Sequence, residues 1–285
     1  MKNKLKYWWG GVKTSYRNFI VLQNDIRMQN AVQAYQPILG AKECKNFVDD
    51  FCALTTVKDV EGSCYKRFGR HHDGGYVMLD DFQDCPVCYS FGICDDVSWD
   101  LDFAKMKKNI FMYDHTISGL PMKNQYFHWS KTGVCGESDK GKYSYLKTLK
   151  ELLKENGHLK EKKLVLKMDV EGAEWDVLSS VDEEMLGLFD QIVMEMHWIW
   201  DLNYSEKIIA SLKNLNKSHQ LVHVHGSNGS FVIPVGNRNI PNVIETTYVR
   251  KQGRNFIDSK RFFPTSIDEQ NNSRLPEVLL GYWNE

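Results

Sequence analysis

Short apolar runs closed by glycine, acidic or histidine residues recur along this chain and alternate with stretches of helical period. Val87 to Gly92, Asn109 to Asp114, Gln125 to Trp129, Leu164 to Met168, Gln191 to His197, Leu221 to His225 and Asn242 to Val249 are such runs. Their length and their bounding turn residues predict buried strands. Between them, a helix is predicted from about Ser98. A second spans Ser144 to Asn156, where Tyr145, Leu146, Leu149, Leu152 and Leu153 repeat at three and four and Gly157 is the stop. A third follows Gly172, with Trp175, Val177 and Leu178 inward. Ahead of all these, 28 to 58 reads as helix, with Val32, Tyr35, Ile38 and Leu39 at near-helical spacing and Pro37 interrupting. Strands alternating with helices predict an α/β fold, a mostly parallel sheet with helices on both faces.

Composition narrows this picture without changing it. A chain of 285 residues supports one large domain with extensions: a helical N-terminal extension at 1–62, the main domain at 63–250 and a C-terminal extension at 251–285. A net charge of -1 removes any global electrostatic case for nucleic acid as a partner. Seven cysteines, an odd number with no preceding secretory signal, fit a reducing, cytosolic compartment. Cys85-Pro-Val-Cys88 lacks the second pair a zinc ribbon needs, so loop thiols near the core are expected. No run of about 20 apolar residues exists to span a membrane. Residues 1–27 are basic with interleaved aromatics, a start that either rests on an anionic membrane surface or packs as a helix on the main domain or a second subunit. Packing is the favoured reading.

The candidate chemistry gathers at the predicted strand ends. Asp169 follows the run Leu164 to Met168, and Glu171 shares its direction if the extended conformation persists. Gly172 then permits a tight turn into helix. The alternative is that Asp169 caps that helix while Glu171 and Glu174 favour its first turn. Glu195 and His197 share one face of their strand, as do His223 and His225 of the next, with Asn228 and Glu245 beyond. Gly92 ends a strand where a ligand can approach the backbone. Asp114, about 20 residues further on, has the spacing of a carboxylate that binds ribose hydroxyls, or else it starts a turn.

Lys167-Met-Asp-Val-Glu-Gly-Ala-Glu-Trp175 resembles the signature of the FkbM-type methyltransferases, which use S-adenosylmethionine. The resemblance covers roughly Arg67 to Val249. It implies a doubly wound, seven-stranded Rossmann-like sheet with its last strand antiparallel. Gly74-Gly75 ahead of a short apolar strand is often only a hairpin turn, yet Arg67, Gly69, Asp73, Gly74, Gly75 and Tyr76 also resemble the segment that helps enclose the cofactor in a subgroup of these enzymes. Ser90 departs from the family pattern by standing where an acid is usual, and Asp95 is a candidate for the missing carboxylate.

Methyl transfer from a sulfonium leaves the acceptor as the difficulty, because an aliphatic hydroxyl must lose its proton. A positioned base or a divalent metal does this. Asp169, Glu171, His197 and His225 are the candidate catalytic groups. Asp169 and Glu195 are the candidate ligands for Mg2+ or Mn2+, which carboxylates suit better than zinc. The resemblance favours a sugar, glycan or similar small hydroxylated acceptor, with Trp198, Trp200 and Tyr204 available for stacking or else core or dimer contacts. The alternatives are an N- or carboxyl-methyltransferase, or an inactive methyltransferase fold serving as a binding or scaffold protein. A nicotinamide-dependent dehydrogenase is disfavoured, since no Gly-x-Gly-x-x-Gly follows a strand. A homo-oligomer is compatible with everything above.

Overall fold

A computed structural model describes residue 33, residues 42–235 and residues 237–285. The basic, aromatic start and the apolar positions 32 to 39 lie outside the described residues.

Seven runs form one sheet: β1 (Val87–Phe91), β2 (Asn109–Tyr113), β3 (Phe127–Ser130), β4 (Leu164–Met168), β5 (Phe189–Met196), β6 (His219–Gly226) and β7 (Ile244–Arg250). Their spatial order is β3-β2-β1-β4-β5-β7-β6. The pairs among β1 to β5 are parallel, and β7 runs antiparallel to both β5 and β6. β1 and β4 are buried along their whole length, which is why they read as continuous apolar runs rather than alternating ones. The chain leaves β1 toward β2 on one side and returns to β4 on the other, so the order reverses between them. Open α/β sheets place ligands in the crevice at such a point.

The two faces are covered differently. On one, Phe91, Leu166, Met168, Ile192 and Met194 pack with buried residues of α1 (Lys42–Leu54), α3 (Leu149–Glu155), α4 (Ala173–Ser180) and α5 (Ser205–Ser218). α1 does this through Cys44, Phe47, Val48 and Phe51, an apolar stripe at helical spacing. On the other face, Ile110, Met112, Val165 and Val193 pack with α2 (Ser98–Lys105) and with an antiparallel pair of strands, Tyr65–Phe68 and Tyr76–Leu79. A hairpin therefore takes much of the area that the doubly wound expectation gives to helices.

The helix expected from Ser144 starts later. Leu146–Thr148 pairs in parallel with Gly133–Cys135, and Thr148 then caps α3. Its Oγ1 accepts from the Glu151 N–H while Glu151 accepts the Thr148 N–H at 2.9 Å, a reciprocal capping box. The outer segments are built into the same body. Lys58–Val60 pairs with Phe256–Asp258, and Leu280 and Trp283 enter the main core, the Trp283 indole donating to the Thr55 carbonyl at 2.7 Å. The apolar end at 275–283 thus docks on the main body, Val278 and Leu280 beside Gly226 at the end of β6 and Trp283 just past α1. Among the described residues no helix is long and apolar enough to cross a membrane.

Candidate active site

β1 and β4 end level, with Phe91 opposite Met168, and the Asp169 N–H continues the ladder to the Phe91 carbonyl at 3.0 Å. The next residue of β1's strand end, Gly92, has φ +77° and lies so close to the Asp169 carbonyl that any Cβ would overlap its oxygen. Only glycine fits there. Above this junction opens a cleft of about 450 Å³ lined by Gly92, Asp95, Asp114, Val134, Asp169 and Glu195 among others. That volume is in the range of cofactor sites, ~300–1,000 Å³.

Asp114 ends β2 inside this cleft. Its Oδ2 accepts the N–H groups of Ile93 and Cys94, both at 2.9 Å, and its Oδ1 accepts from the Thr116 N–H at 2.8 Å and hydroxyl at 2.6 Å. Burial opposes the charge, but these donors outweigh it and hold the carboxyl down at about 2. Asp114 is therefore first the tether of the Gly92–Cys94 turn, and a ribose hydroxyl reaching it would share oxygens already hydrogen-bonded. Because the folded value lies below the unfolded one, the stabilisation is present above about pH 4 and is lost as pH falls toward 2. Asp114→Asn should cost on the order of 2 kcal/mol at neutral pH. Its difference from wild type in thermal melts should close across that acid window.

The glycine-rich segment before the hairpin's second strand divides by role. Asp73 and Gly74 line the cleft. Arg67, Gly69 and Gly75 do not; they shape the loop. The Arg67 guanidinium donates to the carbonyls of Arg70 and His72, and a Cβ on Gly69 or Gly75 would collide with the carbonyl of Gly74 or Arg70. The C-terminal extension fastens this loop from outside, a role unforeseen in the sequence. Glu269 pairs with His71, and Asn271 accepts the Asp73 N–H at 3.3 Å while its amide donates to Glu245 at 2.6 Å.

Beside Gly92, three residues converge. One ligand-type atom each from Asp169, Glu195 and His197 lies within 4.8 Å of the others. The His197 Nε2 stands 3.9 Å from Asp169 Oδ1, 3.7 Å from Glu195 Oε2 and 3.5 Å from Glu171 Oε2. Glu195 and His197 meet because they are two apart at the end of β5, where alternate residues share a face. Glu171 arrives differently from expectation: it is left-handed, φ +55°, so the extended conformation breaks there and its side chain is 78% exposed. Asp169 is not the cap of α4. Gly172, at φ +102°, holds that position, and its N–H is taken by Glu174 at 2.8 Å.

Glu174 is the residue that pattern reading passed over as a first-turn acid. It is fully buried, and its Oε1 accepts the His197 N–H at 2.7 Å and lies 3.2 Å from His197 Nδ1. Its spacing of four from Leu178, an inward residue, was the available signal. Burial alone would lower the His197 pKa, but the hydrogen bond and charge of Glu174, with Asp169 and Glu171, raise it. Burial and the charges of Asp169 and Glu245 push the Glu195 carboxyl well up.

His225 stands apart from this group. It is buried between Glu245 at 2.9 Å and Glu277 of the C-terminal extension at 3.4 Å, and these acids outweigh burial to raise it to about 10. An imidazolium held that way has no free base to offer at neutral pH, so the geometry brings His197, not His225, to Asp169. His223 likewise pairs with Asp268 at 2.8 Å. Of the three candidate stacking aromatics, Trp200 is buried and Tyr204 partly so. Trp198 is 43% exposed, and its indole donates to the Glu171 carbonyl at 3.2 Å. Cys85 and Cys88 are buried free thiols; Cys85 lies in the loop before β1 as expected, but Cys88 is a residue of β1 itself, not a loop thiol.

Residues 103–221 match the methyltransferase FkbM domain family. The matched segment runs from the end of α2 into β6 and contains Asp114, Asp169, Glu171, Glu195 and His197. No curated protein matches the chain.

Proposed function

We propose, taking the match of residues 103–221 to a methyltransferase domain as the premise, that this protein is an S-adenosylmethionine-dependent O-methyltransferase. Its acceptor is a hydroxyl of a sugar, glycan or similar small molecule. The observation that carries the reading is the double position of Asp169. Its backbone abuts Gly92 at the reversal of strand order, and its carboxylate faces His197 and Glu195. One residue thereby joins the place where a nucleotide-like cofactor lies to a cluster able to accept a proton.

In the reaction the acceptor oxygen attacks the methyl carbon and the carbon–sulfur bond breaks with its electron pair staying on sulfur. The hydroxyl proton passes to the carboxylates of the cluster, with Asp169 inside and Glu171 at the exposed mouth. Gly92, Asp95, Asp114, Asp73 and Gly74 form the cofactor side. Trp198, exposed beside His197, offers an apolar face to a sugar ring. The odd cysteine count supports a reducing, cytosolic setting.

The test is incubation with methyl-labelled S-adenosylmethionine and a panel of sugars, amines and carboxylic acids. A base-stable methyl ether on a sugar is the expected product. Label confined to an amine or a base-labile ester would overturn the hydroxyl assignment.

A further inference from the structure

The Asp169–Glu195–His197 group has two features that proton transfer alone leaves unused. His197 is 5% exposed, and its Nδ1 side is engaged by the buried Glu174. Its Nε2 is aimed between the carboxylates of Asp169, Glu171 and Glu195, yet at 3.5–3.9 Å it is hydrogen-bonded to none of them. The imidazole is nearly buried, and its Nε2 faces three carboxylates at ion-pair rather than hydrogen-bond distance, so all four groups are directed at one point. The second feature is charge. Among the described residues no lysine or arginine forms an ion pair with Asp169, Glu171 or Glu195. Lys167, which also lines the cleft, donates to the Gly92 carbonyl at 2.7 Å.

We propose that Asp169, Glu195 and His197 bind one divalent cation of the Mn2+ type, which coordinates the acceptor hydroxyl. This deepens the methyltransferase reading of the same cleft, and rests on it only for the identity of the acceptor. The donor atoms lie within 4.8 Å of one another, close to the ~4–5 Å that two metal–oxygen bonds of 2.0–2.6 Å span. Two carboxylates with a single imidazole favour a cation that accepts both oxygen and nitrogen, which Mn2+ does better than Ca2+ or Mg2+. Glu174 supplies the orienting partner that metal-bound histidines characteristically have, directing Nε2 to the ion. The cation lowers the pKa of the bound hydroxyl. The proton goes to Glu171, whose exposed carboxylate can pass it to solvent, and the alkoxide oxygen takes the methyl group.

The experiment is titration of chelator-stripped, full-length protein with Mn2+, followed by loss of the free-ion electron paramagnetic resonance signal. S-adenosylmethionine binding is measured on the same samples. We expect one Mn2+ per chain and at least a tenfold weakening in Glu195→Gln and His197→Gln. Glu174→Gln, which touches no ion, should weaken binding by ~10–100-fold. Circular dichroism confirms that each variant is folded, and Glu195→Gln, nearly isosteric, keeps the test valid if the Glu174 variant fails to fold. Absence of Mn2+ binding, or wild-type affinity in Glu195→Gln, overturns the site. Cofactor binding without Mn2+ binding would overturn the metal alone and assign the acids to the sulfonium's charge. Mn2+ binding without cofactor binding would uphold the metal and defeat the methyltransferase reading.

Discussion

Asp169→Asn should lower methyl transfer by ~10²–10⁴-fold while the protein remains folded. The substitution keeps the shape and volume of the side chain, which is 29% exposed at the cleft. The Asp169 backbone N–H still reaches Phe91, so the strand ladder is untouched. What disappears is the negative charge facing His197 and the capacity to take a proton or hold a cation. The Tyr76 hydroxyl, 3.5 Å from Oδ2, can still donate to the amide oxygen, so local packing need not change. The check is turnover with saturating cofactor and acceptor, alongside a thermal melt. Full activity in a folded variant would remove Asp169 from the chemistry, and with it the residue that joins the two halves of the site.

Gly92→Ala should be the most damaging substitution that changes no chemical group. The residue needs φ +77°, which costs an alanine roughly 1–2 kcal/mol. The added Cβ would also overlap the Asp169 carbonyl oxygen, a backbone atom that cannot swing aside. Overpacking of this kind costs typically ~1–3 kcal/mol. A combined loss of about 3 kcal/mol corresponds to a fall in Tm of roughly 5–10 °C for a chain of this size. Separation of β1 from β4 would also widen the turn that Asp114 holds through the N–H groups of Ile93 and Cys94. Cofactor affinity should fall with stability, and a melt with and without S-adenosylmethionine measures both. An unchanged Tm would show that the strand ends are looser than this contact requires.

Most of the sheet was legible because its strands are short apolar runs closed by punctuation. Leu164 to Met168 followed by Asp169 and Gly172 is the clearest case: a buried strand, a polar residue at its end, then a residue that alone tolerates the turn. Glu195 and His197 were legible as a pair because the period of a strand is two. The limits of α3 were not, since Leu146 satisfies a helical repeat while in fact pairing with the Gly133–Cys135 strand. Gly74-Gly75 marks a hairpin turn in the sequence, but the placement of that hairpin over the second face was hidden, because antiparallel pairing of Tyr65–Phe68 with Tyr76–Leu79 leaves no mark that distinguishes a lid from a meander. Long-range ion pairs were out of reach altogether. The histidine at 225 looks like a base until Glu277, 52 residues on, is seen to close over it. Asp114 shows the intermediate situation: spacing placed it at the cleft, but only the fold reveals that four donors already occupy its oxygens.

Calorimetric titration of S-adenosylmethionine into the full-length protein tests the central claim most directly. The account predicts saturable binding of one cofactor per chain in the wild type, weakened in Gly92→Ala. No binding to folded wild-type protein would contradict it, leaving a methyltransferase fold that serves as a scaffold.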